Sequence, residues 1–406
     1  MKKGTSLAGI ELGPKRFTAA VGQMEEGRLR IQAVDSVPAQ GFEKEGLSDP
    51  IECADGVARL LRQTERAVGE KIPAAVIAFP ANHLKSANAS ATIPIPEPGA
   101  GITRQDVEKV ISTCRTLSLE YDRKILHAFE RGFTVDGQSG VRNPVGLSGR
   151  KLVVELHLVT ALSLTVQNLS RVINRSGLEV DDFVLPGVAC GEAVLSDLDR
   201  DLGVTLVRIG DFLTEAVLYN DGEVRETFLI PGGMDDLAEH LSRTLRLPRV
   251  AAERLLGQVS SLEERPDGNS VPLQAGPAGP ARSIPEPQVV QLVRHRCREL
   301  LQKLRRRLAT SPIFLDCASG VVMVGSLARL EGFLEMAEEF LNVPVRLGAV
   351  KEVELSPGFD LRQQDVTAVG LLRYGMRRRM ISVQPAALTG WLKPLERFRQ
   401  VLQEYF

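Results

Sequence analysis

The chain has 406 residues, more than one hydrophobic core usually supports, so two or more lobes are expected. Its 50 basic and 51 acidic residues give a formal net charge of -1, which excludes a general electrostatic attraction to nucleic acid. The five cysteines are widely spaced and include no Cys-x-x-Cys pair, which argues against a disulfide framework and indicates a reducing, cytoplasmic compartment.

Two segments with the same order of predicted elements head the two halves of the chain. Residues 6–34 predict a strand, a glycine turn, a second strand, a hairpin turn at Glu26-Gly27 and a third strand. Residues 202–230 predict the same order, with Gly210 after the first strand and a hairpin turn at Asp221-Gly222. The repetition suggests a duplicated domain, although such a match also fits any antiparallel sheet.

Helical and strand patterns alternate after each hairpin, which predicts mixed α/β lobes. The patterns predict a helix over 51–68, a buried strand over 73–80, a helix start at Thr103–Asp106, a loop over 135–149 and a strand over 151–161. A helix with one apolar face is predicted over 293–308. Residues 264–287 are rich in proline and glycine, which predicts a mobile loop.

The stretch 125–189 resembles the bacterial cell-division family FtsA, with NPVGLSG (143–149) and LEVDD (178–182) as its closest matches. Weaker similarities are FPANHLKSANAS (79–90), PGGMDDL (231–237) and TAVGLLRYG (367–375), so the resemblance covers nearly the whole chain. It implies an α/β fold, the actin/Hsp70-like two-lobed fold, with an FtsA-type inserted small subdomain and a C-terminal amphipathic helix. It also implies a tether between the tubulin-like protein FtsZ and the cytoplasmic face of the inner membrane.

The resemblance implies the following division of the chain. The segments are 1–81 (first lobe), 82–160 (inserted small subdomain), 161–230 (second lobe), 231–312 (small subdomain of the second lobe, with the loop 264–287), 313–380 (second lobe and return to the first), 381–390 (linker) and 391–406 (amphipathic helix).

The first nucleotide-binding turn of the family resembles D-I-G-T-[ST]-K, whereas residues 11–16 read ELGPKR. Gly13 is kept, Glu11 replaces the aspartate, and Pro14 removes an N–H donor. The second family turn, D-[IL]-G-G-G-T-T-D, reads RIGDFLTE over 208–215. Arg208 stands in place of the metal-side aspartate, and Asp211 and Phe212 replace glycines. Asp211 would repel a phosphate and Phe212 would fill its space.

The third turn, T-G-G-G-A in the family, reads VGSLA over 324–328, and a Glu-Lys pair of the family reads Glu253-Arg254. The candidate nucleotide-binding residues, all from degenerate motifs, are Gly13, Lys15, Arg16, Gly210, Thr214, Glu253, Arg254, Gly325 and Ser326. These departures predict a pseudo-ATPase with no catalytic residue and with weak or no binding of ATP and Mg²⁺. The alternatives are an active ATPase switch, nucleotide binding without magnesium, and a platform protein similar to PilM.

Five scattered histidines and the separate cysteines predict no metal site. The basic residues of the 293–308 helix, notably Arg294 and Arg298, form either a solvated face or a binding face for the acidic FtsZ tail that the resemblance implies. The resemblance further implies self-association into actin-like filaments.

The last residues form an amphipathic segment suited to a membrane surface. The predicted membrane-binding residues are Trp391, Leu392, Lys393, Leu395, Arg397, Phe398, Leu402, Tyr405 and Phe406. A short coiled coil or the protein's own core fits the same spacing. The linker 381–390, the nearby arginines 377–379 and the resemblance favour the membrane. No stretch approaches the roughly 18 apolar residues of a spanning helix, so neither membrane crossing nor export is expected.

Overall fold

The computed structural model describes residues 6–25, 28–44, 46–80, 84–96, 99, 101–263, 270–274, 281–351, 353–355 and 361–383. The predicted hairpin turn at Glu26-Gly27 and the predicted amphipathic helix 391–406 lie outside these residues. Among the described residues, no helix is both long and apolar enough to cross a membrane.

The first part of the chain contains the first lobe and the inserted subdomain. Its elements are β1 (Leu7–Leu12), β2 (Arg16–Glu25), β3 (Arg28–Pro38), β4 (Phe42–Glu43), β5 (Gly46–Leu47), α1 (Pro50–Val68), β6 (Ala74–Ala78), β7 (Leu84–Pro94), α2 (Arg104–Leu117), β8 (Arg123–Val135), β9 (Gln138–Val141), β10 (Lys151–Leu162), α3 (Ser163–Arg175), β11 (Glu179–Val184), α4 (Pro186–Val194) and α5 (Asp197–Asp201).

The second part forms the second lobe and returns to the first. Its elements are β12 (Val204–Ile209), β13 (Leu213–Asn220), β14 (Glu223–Pro231), α6 (Met234–Leu245), α7 (Arg249–Gln258), β15 (Ser270–Gln274), β16 (Ala281–Pro285), α8 (Glu286–Leu308), α9 (Pro312–Leu315), β17 (Val321–Val324), α10 (Phe333–Leu341), β18 (Val345–Leu347), β19 (Val353–Leu355) and α11 (Val366–Val383).

The two lobes are built on sheets that share an order of five strands, and the first sheet has one further strand, β19, beside β3. The first sheet runs β19-β3-β2-β1-β6-β11, and the second runs β14-β13-β12-β17-β18. In each, three antiparallel strands are followed by two strands parallel to the first of them. The β13–β14 turn, Asp221-Gly222, has φ values of 55° and 80°, as a two-residue hairpin requires. The expected duplication is therefore confirmed.

Several local predictions are also confirmed. Helix α1 begins after Asp49, whose side chain accepts hydrogen bonds from two backbone N–H groups, and ends at Gly69 with φ of 75°. Helix α2 begins with a capping box between Thr103 and Asp106. Helix α8 buries one stripe, formed by Val293, Cys297, Leu300, Leu301, Leu304 and Leu308.

Four expectations require correction. Within 264–287 the structure contains the strands of a two-stranded sheet, β15 and β16, and the start of α8 at Glu286. Within 135–149, Asp136-Gly137 is a tight hairpin turn into β9. Residues 163–184 belong to the first lobe, because β11 pairs with β6, so the chain returns there after the insertion. The proposed linker begins later than residue 381, because α11 continues to Val383.

The inserted subdomain is a four-stranded sheet, in the order β7-β10-β8-β9, covered on one face by α2. It packs against strand β14 of the second lobe. The Nε2 atom of His157 accepts a hydrogen bond from the backbone N–H of Thr227 (3.0 Å), and Nδ1 lies 2.7 Å from Asn88 Oδ1. Ser86 donates to the carbonyl of Thr227 (2.8 Å). Arg225 donates to two carbonyls of β8. The subdomain is thus fixed to the second lobe by buried polar contacts.

Helix α11 lies between the lobes. It packs closely on β1 because Gly9 has no side chain there; a Cβ at Gly9 would lie 2.4 Å from the carbonyl oxygen of Ala368. Gly370 allows the same close approach to α4, since a Cβ there would lie 1.9 Å from the carbonyl oxygen of Ala189. Two glycines therefore permit α11 to occupy the junction of the lobes.

Candidate functional site: the cleft between the lobes

The two turns that face the cleft have the same backbone geometry. The N–H of Gly13 donates to the carbonyl of Arg16 (3.0 Å), and the N–H of Gly210 donates to the carbonyl of Leu213 (2.9 Å). A Cβ at Gly13 would lie 2.9 Å from the Arg16 oxygen, and one at Gly210 would lie 3.0 Å from the Leu213 oxygen. Both glycines are therefore needed for tight hairpins, and their amides are already used within the turns.

Arg208 occupies the centre of the cleft. The register of β12 and β13 places it directly opposite Glu215, and its Nη1 donates to Glu215 Oε1 (2.9 Å). Its Nη2 donates to Glu11 of the first lobe, and its Nε donates to Thr367 Oγ1 at the start of α11 (3.3 Å). One guanidinium therefore joins both lobes and the helix between them.

This arrangement keeps Arg208 charged. Burial acts to lower the pKa of its guanidinium, but the carboxylates of Glu11 and Glu215 outweigh burial and raise that pKa above its ordinary value. The Glu215 side chain is only 1% exposed, and its second oxygen accepts a hydrogen bond from the N–H of Gly187 (2.6 Å). The result is a buried, hydrogen-bonded charge cluster.

The second turn is joined to the N-terminus of α6. The N–H groups of Met234 and Asp235 donate to the carbonyls of Gly210 (3.0 Å) and Asp211 (2.8 Å). The buried hydroxyl of Thr214 donates to the carbonyl of Gly232 (2.9 Å). Helix N-terminal amides commonly bind phosphate, but these two amides already have backbone partners.

Two more contacts cross the cleft near the first turn. Lys15 Nζ lies 3.3 Å from Glu253 Oε1 of α7. Lys44 lies over the ring of Phe212, 5.3 Å from its centroid. The predicted residues Lys15 and Glu253 are therefore brought together as an ion pair between the lobes.

Arg16 faces a different carboxylate. Its Nη2 lies 3.8 Å from Asp365 Oδ1, next to the start of α11. Burial lowers the pKa of Arg16, while Asp365 and Glu11 oppose that change. Each described basic residue of the first turn therefore has an acidic neighbour.

The third turn is close to the second-lobe sheet. Gly325 has φ of +114°, and a Cβ there would lie 2.3 Å from the carbonyl oxygen of Ile209, so only glycine fits. Its N–H donates to Gln363 Oε1 (3.4 Å). Ser326 and Arg254 are exposed, and within the described ranges neither forms a hydrogen bond or ion pair with the cleft residues.

Sequence reasoning did not identify Glu215, Thr367 and Asp365 as members of this cluster. The pairing of Glu215 with Arg208 could have been predicted from the sequence, since a hairpin with its turn at 210–213 places these two residues opposite each other. Thr367 and Asp365 lie about 160 residues away from Arg208 in sequence, and no local pattern connects them.

The other predicted residues that the structure describes lie outside the cleft. Arg298 is exposed on α8, and Arg294 is partly exposed on the same helix. Arg377, Arg378 and Arg379, expected to attract anionic lipid, form ion pairs with Glu192, Asp182 and Asp181 respectively, so their charges are partly neutralised. In the described part of the chain, no group of three or more His, Cys, Asp or Glu side chains is arranged to hold a metal ion.

Two family models match the chain. The model described as "SHS2 domain inserted in FTSA" matches residues 81–160, and the model described as "Cell division protein FtsA" matches residues 205–366.

Curated relatives extend the similarity over most of the chain. The chain is 27% identical to the cell division protein FtsA of Pseudomonas aeruginosa over 381 residues, covering 93% of this chain and 91% of the relative. It is 28% identical to FtsA of Escherichia coli K12 over 384 residues (91% and 90% covered). It is 24% identical to FtsA of Bacillus subtilis over 383 residues (94% and 86% covered).

Solved structures show the same actin-like fold. A chain of the PilM-PilN type IV pilus biogenesis complex aligns with a TM-score of 0.62 at 15% identity, covering 92% of this chain and 98% of that one. MreB5 of Spiroplasma citri bound to ADP aligns with a TM-score of 0.53 at 9% identity, covering 93% and 97%. At these identities the likeness concerns the fold alone.

Proposed function

This chain belongs to the FtsA family of cell-division proteins, and we propose that it is an adaptor that ties FtsZ filaments to the cytoplasmic face of the inner membrane. We further propose that its cleft does not act as a magnesium-dependent ATPase. The observation that carries the second statement is the position of Arg208, held between Glu11 and Glu215.

A magnesium nucleotide needs carboxylates that can hold the hydrated metal and N–H groups that can approach the phosphates. In this cleft Glu11 and Glu215 share a guanidinium, which repels a metal cation and cannot coordinate it. The amides of Gly13, Gly210 and the α6 N-terminus have backbone partners. The described residues therefore do not fit magnesium and a triphosphate.

The basic side chains near the turns support the same proposal. Lys15 is paired with Glu253 and Arg16 lies beside Asp365, so a phosphate would have to displace an existing carboxylate from each. Asp211 adds a negative charge next to the second turn. The contacts that a nucleotide provides between two lobes are supplied here by the protein's own side chains.

Isothermal titration calorimetry of the full chain with ATP and Mg²⁺ tests the nucleotide proposal. The expected result is no binding tighter than about 1 mM, that is, less than about 4 kcal/mol of binding free energy. Micromolar, magnesium-dependent binding would instead support an active ATPase switch. The FtsA of a relative with intact turns serves as the positive control.

Co-sedimentation with liposomes and FtsZ tests the adaptor proposal. The full chain is expected to bring FtsZ filaments to anionic liposomes, and a chain lacking residues 386–406 is expected to bind FtsZ but not the liposomes. Equal liposome binding by both proteins would contradict the role of the tail.

The FtsZ contact is tested by replacing two arginines of α8. The double variant Arg294→Glu and Arg298→Glu is expected to weaken binding of the acidic FtsZ tail, because it reverses the charge of the proposed face. Arg305→Glu, an exposed position further along the same helix, is the matched control. Absence of any FtsZ binding by the unmodified chain would favour a platform for another membrane machine.

A further inference from the structure

A groove of about 450 Å³ lies between the inserted subdomain and the second lobe. Six consecutive residues of β7, 84–89, line it. Side chains of a strand alternate between its two faces, so six consecutive residues line one groove only if the groove follows the edge of the strand. The groove therefore runs along β7, over about 20 Å at roughly 3.3 Å per residue.

The edge of β7 is open. Strand β7 is the terminal strand of its sheet and, in the part of the chain that the structure describes, it pairs with β10 alone. The pairing is regular from Leu84 opposite Ala161 to Pro94 opposite Lys151, whereas the β8–β10 pairing has two register shifts. The free edge is thus long and free of bulges.

The middle of this edge, residues 86–93, also lacks the features that usually protect an exposed strand. Natural edges are blunted by charged residues, proline or bulges, because unpaired backbone groups otherwise recruit another strand. Residues 86–93 read SANASATI, with no charge, proline or glycine. Ala87 and Asn88 are exposed, and their small side chains leave space beside the backbone. The sequence is suited to accept an additional strand.

The walls of the groove indicate the chemistry of the occupant. Apolar surface comes from Leu84, Leu158 and Leu229. On one wall Lys85 and Glu120 neutralise each other at 3.1 Å. On the other wall Arg307 stacks on Phe228, with its guanidinium carbon 4.6 Å from the ring centroid. Arg307 forms no ion pair with any acidic residue in the described ranges. The groove therefore carries one uncompensated positive charge.

We propose that this edge docks an extended peptide segment of a partner protein, which adds to the four-stranded sheet as a fifth strand and places a carboxylate against Arg307. Backbone hydrogen bonds supply most of the binding, and the apolar wall and Arg307 select the side chains. The bound strand touches both the inserted subdomain and α8, so it bridges two parts of the protein. The site is separate from the cleft and from Arg294 and Arg298.

A display library of random peptides about ten residues long, selected on the full chain, supplies the probe. Selected peptides are expected to be rich in β-branched residues and to share a carboxylate. Hydrogen exchange is expected to slow at residues 84–89 when such a peptide binds. Affinities of the selected peptides are then measured by fluorescence anisotropy.

Two variants with matched controls test the location. Ala87→Trp fills the groove and is expected to weaken binding at least about tenfold, or about 1.4 kcal/mol. Ser139→Trp, at an exposed position of β9 on the opposite edge of the sheet, is expected to leave binding unchanged. Arg307→Glu is expected to weaken binding about tenfold, whereas Arg306→Glu on the same helix has no effect.

Three results would overturn the proposal. The first is selection of no common peptide, and the second is equal peptide binding by the wild-type chain and Ala87→Trp. The third is concentration-dependent self-association, measured by sedimentation, that Ala87→Trp abolishes; that result would assign the edge to a second copy of the chain. Unfolding by denaturant shows whether each variant is folded. The three results above do not depend on whether the chain binds FtsZ or liposomes.

Discussion

The first and second turns of the cleft share a backbone and differ in their side chains. Each glycine closes a hairpin with nearly the same hydrogen bond, at 3.0 and 2.9 Å. Glu11 and Arg208, however, occupy equivalent positions of the two halves, two residues before those glycines. Opposite them across each hairpin are Thr18 and Glu215. The two halves have thus kept one scaffold while acquiring opposite charges at matching positions.

The opposite charges of Glu11 and Arg208 allow the two lobes to form an ion pair across the cleft. Here the two equivalent positions face each other across the cleft, since Arg208 Nη2 donates to Glu11. With acidic residues at both positions the cleft would need a cation to hold it together, whereas Arg208 supplies a cation covalently attached to the chain. Under the proposed function, the backbone of a ligand site persists while Arg208 supplies the charge that a bound cation would otherwise provide.

The largest expected effect follows from removing that charge. Arg208→Ala leaves Glu11 and Glu215 close together without a counter-charge, and should lower the free energy of unfolding by about 3–5 kcal/mol. Denaturant unfolding measures the change. Arg254→Ala, which removes an exposed arginine, should cost less than about 0.5 kcal/mol. A small effect of Arg208→Ala would show that the cluster does not hold the lobes together.

The second prediction concerns the outer strands of the two sheets. Strand β3 of the first sheet pairs with β19, whereas its counterpart β14 receives the inserted subdomain through His157. Burial, with a smaller effect from Arg131, lowers the pKa of His157 from 6.5 to about 4. The folded state therefore binds this proton less tightly than the unfolded state does. Stability from this group is complete above pH 6.5 and is lost as the pH falls towards 4.

The size of that loss is measurable by unfolding at several pH values. Between pH 6.5 and 4 the wild-type chain should lose about 3 kcal/mol more than His157→Gln, because the variant has no imidazole to protonate. His295→Gln, at a largely exposed position on α8, should behave as the wild type does. Parallel curves for the wild type and His157→Gln would contradict a buried neutral imidazole at this interface.

The smallest expected loss of stability comes from replacing each turn glycine, Gly13 or Gly210, with alanine. Gly13→Ala and Gly210→Ala each place a methyl group about 3 Å from a hairpin carbonyl, and Gly13→Ala should cost about 1 kcal/mol. Gly210→Ala should cost roughly 1 kcal/mol more, because its Cβ would also lie 2.8 Å from Arg208 Nη1. Thermal or denaturant unfolding measures both. Gly257→Ala, with no atom within 4 Å of the added Cβ, is the control. Equal losses of stability for the two variants would mean that the Arg208 side chain moves away from the added methyl group without cost.

Much of the fold could be predicted because it depends on local patterns. Strands β12, β13 and β14 follow alternating residues and a turn with two positive φ values, and α8 follows a single apolar stripe. The region 264–287 was mispredicted because proline usually breaks structure. Pro272 lies in a two-stranded sheet, where both strands are edges, and Pro287 lies in the first turn of α8; both places tolerate proline.

The site could be predicted only in part. Departures at Arg208 and Asp211 are visible in the sequence, because they alter charge in a short turn. The partners of Arg208 are not, since Glu11 is 197 residues away and Thr367 is 159 residues away. Whether a charged side chain repels a ligand or pairs with the protein depends on which distant residues fold against it.

Helix α11 is positioned to transmit mechanical force to both lobes. It is the last described element before the predicted tail, and its side chains contact both lobes: Thr367 contacts Arg208 of the second, and Arg378 contacts Asp182 of the first. Tension applied beyond Val383 therefore reaches both lobes together. A protein that connects a filament to a membrane would transmit force through this helix without drawing its lobes apart.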